Sequence, residues 1–130
     1  VLGKTFAAFI DENDIHYADL IKIDIEGGEF SAVPQMIETL QTLGLPPLLL
    51  AFHAVYLKEK FMKQNYLLKK ISRLNGRLSI LAGKIAANGY ARNEIIKLLD
   101  LLCDYNSVNA VSGNKNLIDD LMHDGMAVIK

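Results

Sequence analysis

The feature that most limits how this chain can fold is a two-residue alternation that stops abruptly at a glycine pair. In "LIKIDIEGGEF", residues 20–30, Ile21, Ile23 and Ile25 fall on one face of an extended segment, and Lys22, Asp24 and Glu26 fall on the other. Gly27-Gly28 ends the strand, because glycine takes positive φ and lets other groups approach the backbone. A helix is predicted next, over 30–43: Phe30, Val33, Ile37 and Leu40 recur at helical spacing, Pro34 is tolerated in a first turn, and Gly44 can stop it. "LLLAFH", residues 48–53, is a continuous apolar run of the kind a buried parallel strand shows. Residues 20–53 therefore read as a β-α-β unit with a right-handed crossover.

The rest of the chain is read the same way. "TFAAFIDEN", residues 5–13, predicts a short helix with Thr5 as N-cap and Phe6, Phe9 and Ile10 on one face. A helix is expected over 58–74, with Leu57, Phe61, Leu68 and Ile71 inward and lysines outward. Residues 78–87 are apolar enough for a helix but are interrupted by glycines. "NEIIKLLDLLCDY" predicts a helix with Asn93 as a cap. "SVNAV" and "MAVIK" predict strands, separated by a short helix in "NLIDDLMHDG" that ends at Gly125. Four strands make a poor independent sheet, and an apolar edge beside residues 20–25 is a liability. The chain is therefore expected to be part of a larger domain, and that edge is a candidate surface for self-association.

With 130 residues, of which 51% are hydrophobic and 22% charged, the composition is that of one ordinary globular domain. The net charge of −1 gives no ground to expect a nucleic-acid or membrane partner. No apolar run approaches the roughly 18 residues that span a bilayer. A cytoplasmic setting is the expectation. The one cysteine, Cys103, cannot form an internal disulfide and reads as a small core residue. Lys58, Lys60, Lys63, Lys69, Lys70, Arg73 and Arg77 face one acid, Glu59, in the stretch 58–77. A solvated basic helix face explains them; a phosphate-rich or acidic substrate is the other reading.

The chemistry concentrates at residues 24–29 and 53. In open α/β sheets ligands bind beyond the carboxyl ends of the strands. Asp24 and Glu26 lie at one such end and His53 at the next, so groups able to move a proton, bind a metal or accept a hydrogen bond meet in one crevice. Two carboxylates about 5 Å apart repel by roughly 1 kcal/mol in water-like surroundings and about 3 kcal/mol at an effective dielectric near 20. Lys22, backbone N–H groups, a ligand or a divalent metal on Asp24, Glu26 and His53 would each offset that. Glu29 also has a local explanation, since an acid in the first turn favours the helix dipole. Asp24 can equally bond the Gly-Gly turn, and His53 can equally be a satisfied core histidine. "GKT" at 3–5 lacks the earlier glycine of a phosphate loop, no serine sits in a nucleophile elbow, and His16 and His123 have no ligand-spaced partners.

Residues 5–53, with "KIDIEG-x-E" giving Lys22, Asp24, Glu26, Gly27 and Glu29 and with "LLLAFH" ending in His53, resemble the FkbM family of S-adenosylmethionine-dependent methyltransferases. Over 54–130 the resemblance is architectural only, and Gly28 stands where the family commonly has alanine. The resemblance implies a partial Rossmann-like methyltransferase fold. This is the C-terminal part of a three-layer αβα sandwich, with a mainly parallel sheet and an antiparallel last strand, in which 20–25 and 48–53 are the fourth and fifth strands. It implies O-methylation of a small-molecule or saccharide acceptor at a sugar or natural-product hydroxyl. Asp24 would lie nearest the transferred methyl, His53 would be the base, and Glu26, Gly27 and Glu29 would bind substrate or cofactor. The glycine-rich loop and the acid that hold the cofactor's methionine and ribose in such enzymes are not in these 130 residues, so the cofactor-binding half is expected to lie elsewhere in a parent protein. The alternative is a non-catalytic binding or assembly module derived from the same fold.

Overall fold

The computed structural model describes residues 3–65, 76–112 and 116–130, and strands are interleaved with helices along the chain, two described helices standing between the second and third strands. The elements are α1 (Phe6–Glu12), β1 (Ile21–Ile23), α2 (Glu29–Thr42), β2 (Leu48–Ala51), α3 (Ala54–Gln64), α4 (Gly76–Leu101), β3 (Val108–Ala110), α5 (Leu117–Leu121) and β4 (Met126–Ile129). The four strands form one open mixed sheet in the order β1-β2-β4-β3. β1 and β2 are parallel, and β4 runs antiparallel to both β2 and β3.

The sheet register explains why one face holds the core. Ile21, Leu48, Ile129 and Val108 form one cross-strand row, and Ile23, Leu50, Ala127 and Ala110 form the next row on that face. Against these rows pack Val33, Met36 and Leu40 of α2 and Ile95 and Leu98 of α4, all buried. The row between them, Lys22, Leu49, Val128 and Asn109, points to the opposite face, and none of its members is buried. β1 is an edge strand, flanked by the exposed side chains of Leu20 and Ile25.

Local signals set the element ends. Thr5 caps α1 by accepting from the Ala8 N–H. At the end of α2, Leu45 N–H bonds Leu40 O and Gly44 N–H bonds Gln41 O. That is a Schellman closure, with Gly44 at the positive φ it requires (78°). Pro34 sits in the second turn of α2, where it removes one hydrogen bond without ending the helix. Tyr105 tucks its ring under the sheet and donates its hydroxyl to Pro46 O at 3.0 Å; burial pushes the phenol pKa up to about 12.

Several expectations need correction. β1 ends at Ile23, so Ile25 lies beyond the ladder and is exposed, and Phe9 of α1 is half exposed where Ile10 alone is buried. The helix expected from 58 begins at Ala54, and its predicted residues 66–74, with Leu68 and Ile71, lie outside the described residues. The glycine-interrupted stretch and the helix after it are one helix, α4, so Asn93 is interior to it and caps nothing. Packing overrides the glycine penalty of about 1 kcal/mol per residue. Gly83, Ala87, Ala91, Ile95 and Leu98 form one buried stripe, and a Cβ at Gly83 would meet Met62 Cε of α3 at 3.2 Å. Cys103 is exposed, because it follows Leu102 on the outward side of the turn after α4.

Candidate functional site

The turn joining β1 to α2 builds the site. Gly28 N–H bonds Ile25 O at 3.1 Å, closing a four-residue turn whose central residues, Glu26 and Gly27, have φ of 50° and 92°. Only glycine takes such angles freely, so Gly27 is needed there, and Glu26 holds a left-handed conformation uncommon for a side-chain-bearing residue. Gly27 is required on space as well: a Cβ on it would lie 2.7 Å from Tyr56 Cβ. The turn throws Glu26 outward and starts α2 at Glu29, whose side chain is driven inward.

Glu29 is fully buried. Its Oε1 accepts the Ile25 N–H at 3.1 Å and lies 2.6 Å from His53 Nδ1, while its Oε2 is buried without a hydrogen-bond partner among the described residues. His53 stands between β2 and α3, two residues past the strand. Its Nε2 lies 3.6 Å from Asp24 Oδ1, and Lys22 Nζ neutralises the other oxygen, Oδ2, at 3.1 Å. Asp24, His53 and Glu29 thus form a line across the carboxyl ends of β1 and β2. The side chains of Asp24 and His53 are 36% and 22% exposed, so the Asp24 end is open to solutes and the Glu29 end is closed.

The five residues singled out in the sequence divide into two groups. Asp24, Glu29 and His53 come together, each offering one donor atom within 4.8 Å of the others. Glu26 turns away, its Oε2 lying 3.5 Å from the Tyr56 hydroxyl, and its charge raises the Tyr56 phenol pKa above the ordinary range. Gly27 lies under Tyr56. These three side chains could also converge on a cation, but Glu29 Oε1 already faces the Ile25 N–H and His53 Nδ1, and the Lys22 ammonium pairs with Asp24 Oδ2, so a cation would compete with contacts already made. The arrangement suits hydrogen-bonded proton handling.

A groove of about 510 Å³ opens beside the cluster, walled by Glu26, Gly27, Phe30, Tyr56, Lys60 and Tyr90 among others. The Tyr56 ring meets His53 edge-on with centroids 6.0 Å apart, and Tyr90 stacks on Phe61 at 5.0 Å. Tyr56 and Tyr90 were not evident from sequence. Tyr56 had one usable signal, its position one helical turn after His53; Tyr90 lies within the glycine-rich stretch and had none. Of the basic residues, Lys58 donates to Met122 O at 2.9 Å and Lys63 pairs with Glu59 at 3.5 Å, while Lys69, Lys70 and Arg73 lie outside the described residues.

The chain matches no protein-family model, no curated protein and no solved structure. Among the described residues no helix is long and apolar enough to cross a membrane.

Proposed function

We propose that this chain forms the acceptor-side part of an S-adenosylmethionine-dependent O-methyltransferase of the FkbM type, acting on a sugar or natural-product hydroxyl. The observation that carries the reading is the meeting of Asp24 and His53 at the carboxyl ends of two adjacent parallel strands; a groove lined by both aromatic and charged side chains adjoins the turn between Asp24 and α2. The strand order supports it: the resemblance implies a fourth and fifth strand side by side and an antiparallel last strand, and β4 is inserted reversed between β2 and β3. In this reading the cofactor-binding half pairs with the free edge of β1, and a further helical layer covers the row through Lys22 and Val128.

S-adenosylmethionine would supply the methyl group, with its sulfonium sulfur keeping the electron pair as the leaving group and the acceptor oxygen as the nucleophile. His53 Nε2 takes the proton lost by the acceptor hydroxyl. Asp24 would face the transferred group, and Lys22 holds it in place through Oδ2 at 3.1 Å. Tyr56, Tyr90 and Phe30 give the acceptor a wall, so that little more than alignment is asked of the protein. Asp24 and the Gly27 backbone are the residues here that would face the cofactor. In the parent protein, transfer of labelled methyl to a panel of glycosides should fall at least a hundredfold in both Asp24→Asn and His53→Ala; transfer left intact in both would reject the role assignment.

A second reading has its own support. Leu20 and Ile25, both apolar and exposed, flank β1, the edge strand of the sheet among the described residues, which suits assembly with another chain or a second copy. Sedimentation of the 130-residue chain separates the two readings. A concentration-dependent dimer abolished by Ile25→Lys, with no binding of S-adenosylmethionine by the parent protein, would favour the assembly module.

A further inference from the structure

The Glu29–His53–Asp24 line holds more information than the presence of a base. Glu29 Oε1 accepts the Ile25 N–H, so it is an acceptor toward its surroundings. A proton on the carboxyl group would have to sit on Oε2, which is buried with no acceptor among the described residues. The hydrogen between Glu29 and His53, 2.6 Å apart, therefore belongs to Nδ1. In the neutral ring that leaves Nε2 bare. Nε2 faces Asp24 Oδ1 across 3.6 Å, beyond hydrogen-bond reach, so the site presents two acceptors side by side with a gap between them.

A single alcohol donates one hydrogen and can satisfy one of the two. Lys22 is committed to Oδ2 and does not bridge the gap. We propose that Glu29 fixes His53 in its Nδ1–H tautomer, and that the two bare acceptors this leaves, His53 Nε2 and Asp24 Oδ1, together select a ligand with two adjacent hydroxyl donors, a vicinal diol. One hydroxyl donates to Nε2 and its neighbour to Oδ1. The edge of the Tyr56 ring lies beside the first, against the carbon skeleton. This deepens the methyltransferase reading, on which it rests only for the further statement that the hydroxyl at Nε2 is the one that loses its proton. Glu29 is a positioning residue in this scheme, since it touches His53 and no ligand.

The test uses nuclear magnetic resonance of the ring nitrogens of His53 in the folded chain, recorded at alkaline pH. The expected spectrum has a protonated Nδ1 and a bare Nε2; a bare Nδ1 overturns the proposal whatever the protein's activity. The second measurement titrates a cyclohexane cis-vicinal diol, its mono-methyl ether and cyclohexanol while the Nε2 resonance is followed. The diol should bind roughly five- to tenfold more tightly than either single alcohol. Asp24→Ala, at a half-exposed position that does not threaten the fold, should remove that preference. Equal affinity for the three, no Nε2 response to any of them, or a preference that survives Asp24→Ala overturns it. Glu29→Leu should mix the tautomers, and rescue of the single tautomer by Glu29→Gln, which keeps an acceptor oxygen, separates orientation from packing. Loss of methyl transfer with the diol preference intact would count against the enzyme reading alone.

Discussion

Two glutamates three residues apart, on either side of Gly27-Gly28, live in opposite surroundings. Glu29 is sealed inside, bonded to a backbone N–H and to His53. Glu26 is outside, on a left-handed backbone, with a long contact to Tyr56. The same chemical group orients an imidazole at one position and shapes a groove wall at the other. The difference teaches that the turn, more than the residue type, assigns roles here. A glycine at positive φ rotates the chain so that one acid leaves the protein and the next one enters it.

The comparison can be broken most forcefully at the buried member. Glu29→Ala leaves the Ile25 N–H and His53 Nδ1–H without an acceptor and opens a cavity, so it should destabilise by about 3 kcal/mol; Glu26→Ala should fall within about 0.5 kcal/mol of wild type. Urea denaturation of both measures the contrast, and equal losses would show that burial does not separate them. Next in size, Gly27→Ala combines a disfavoured φ with the approach to Tyr56 and should be destabilised by about 2 kcal/mol. Adding Tyr56→Ala should restore little, because alanine keeps the Cβ that the new methyl meets at 2.7 Å and the backbone strain remains. Smaller still, Glu26→Gly relieves the left-handed conformation and should stabilise by about 1 kcal/mol, read as a raised thermal midpoint. The smallest effect is electrostatic. Since the Glu26 carboxylate disfavours the Tyr56 phenolate, Glu26→Gln should move the phenol pKa down toward its ordinary value in an ultraviolet titration. An unchanged value would mean that the two side chains are not coupled in solution.

The β-α-β unit was legible because the two-residue period holds at Ile21 and Ile23 and the 3.6-residue period holds through α2, and because Gly27 and Gly44 occupy positions where the backbone requires glycine. The meeting of Asp24 with His53 followed from strand adjacency alone. Helix α4 was not legible as one piece. Gly83 and Gly89 look like breaks, and Gly83 acquires its purpose only from Met62 on a different helix. The role of Glu29 was hidden for a subtler reason. An acid in the first turn of a helix already has a sufficient local explanation in the helix dipole, and nothing nearby in sequence announces that His53, twenty-four residues on, will sit against it. Cys103 was assigned to the core on residue type, and the turn after α4 leaves it exposed; Phe9 was placed on one face with Phe6 and Ile10 by spacing, and of the three only Ile10 is buried.

The contact between Gly27 and Tyr56 has a mechanical consequence. With no room for even a methyl group between Gly27 and Tyr56, the β1–α2 corner and the opening coil of α3 are held in direct contact. The stretch of groove wall that these two residues share is therefore a point of fixed spacing, which any side chain at position 27 would force apart.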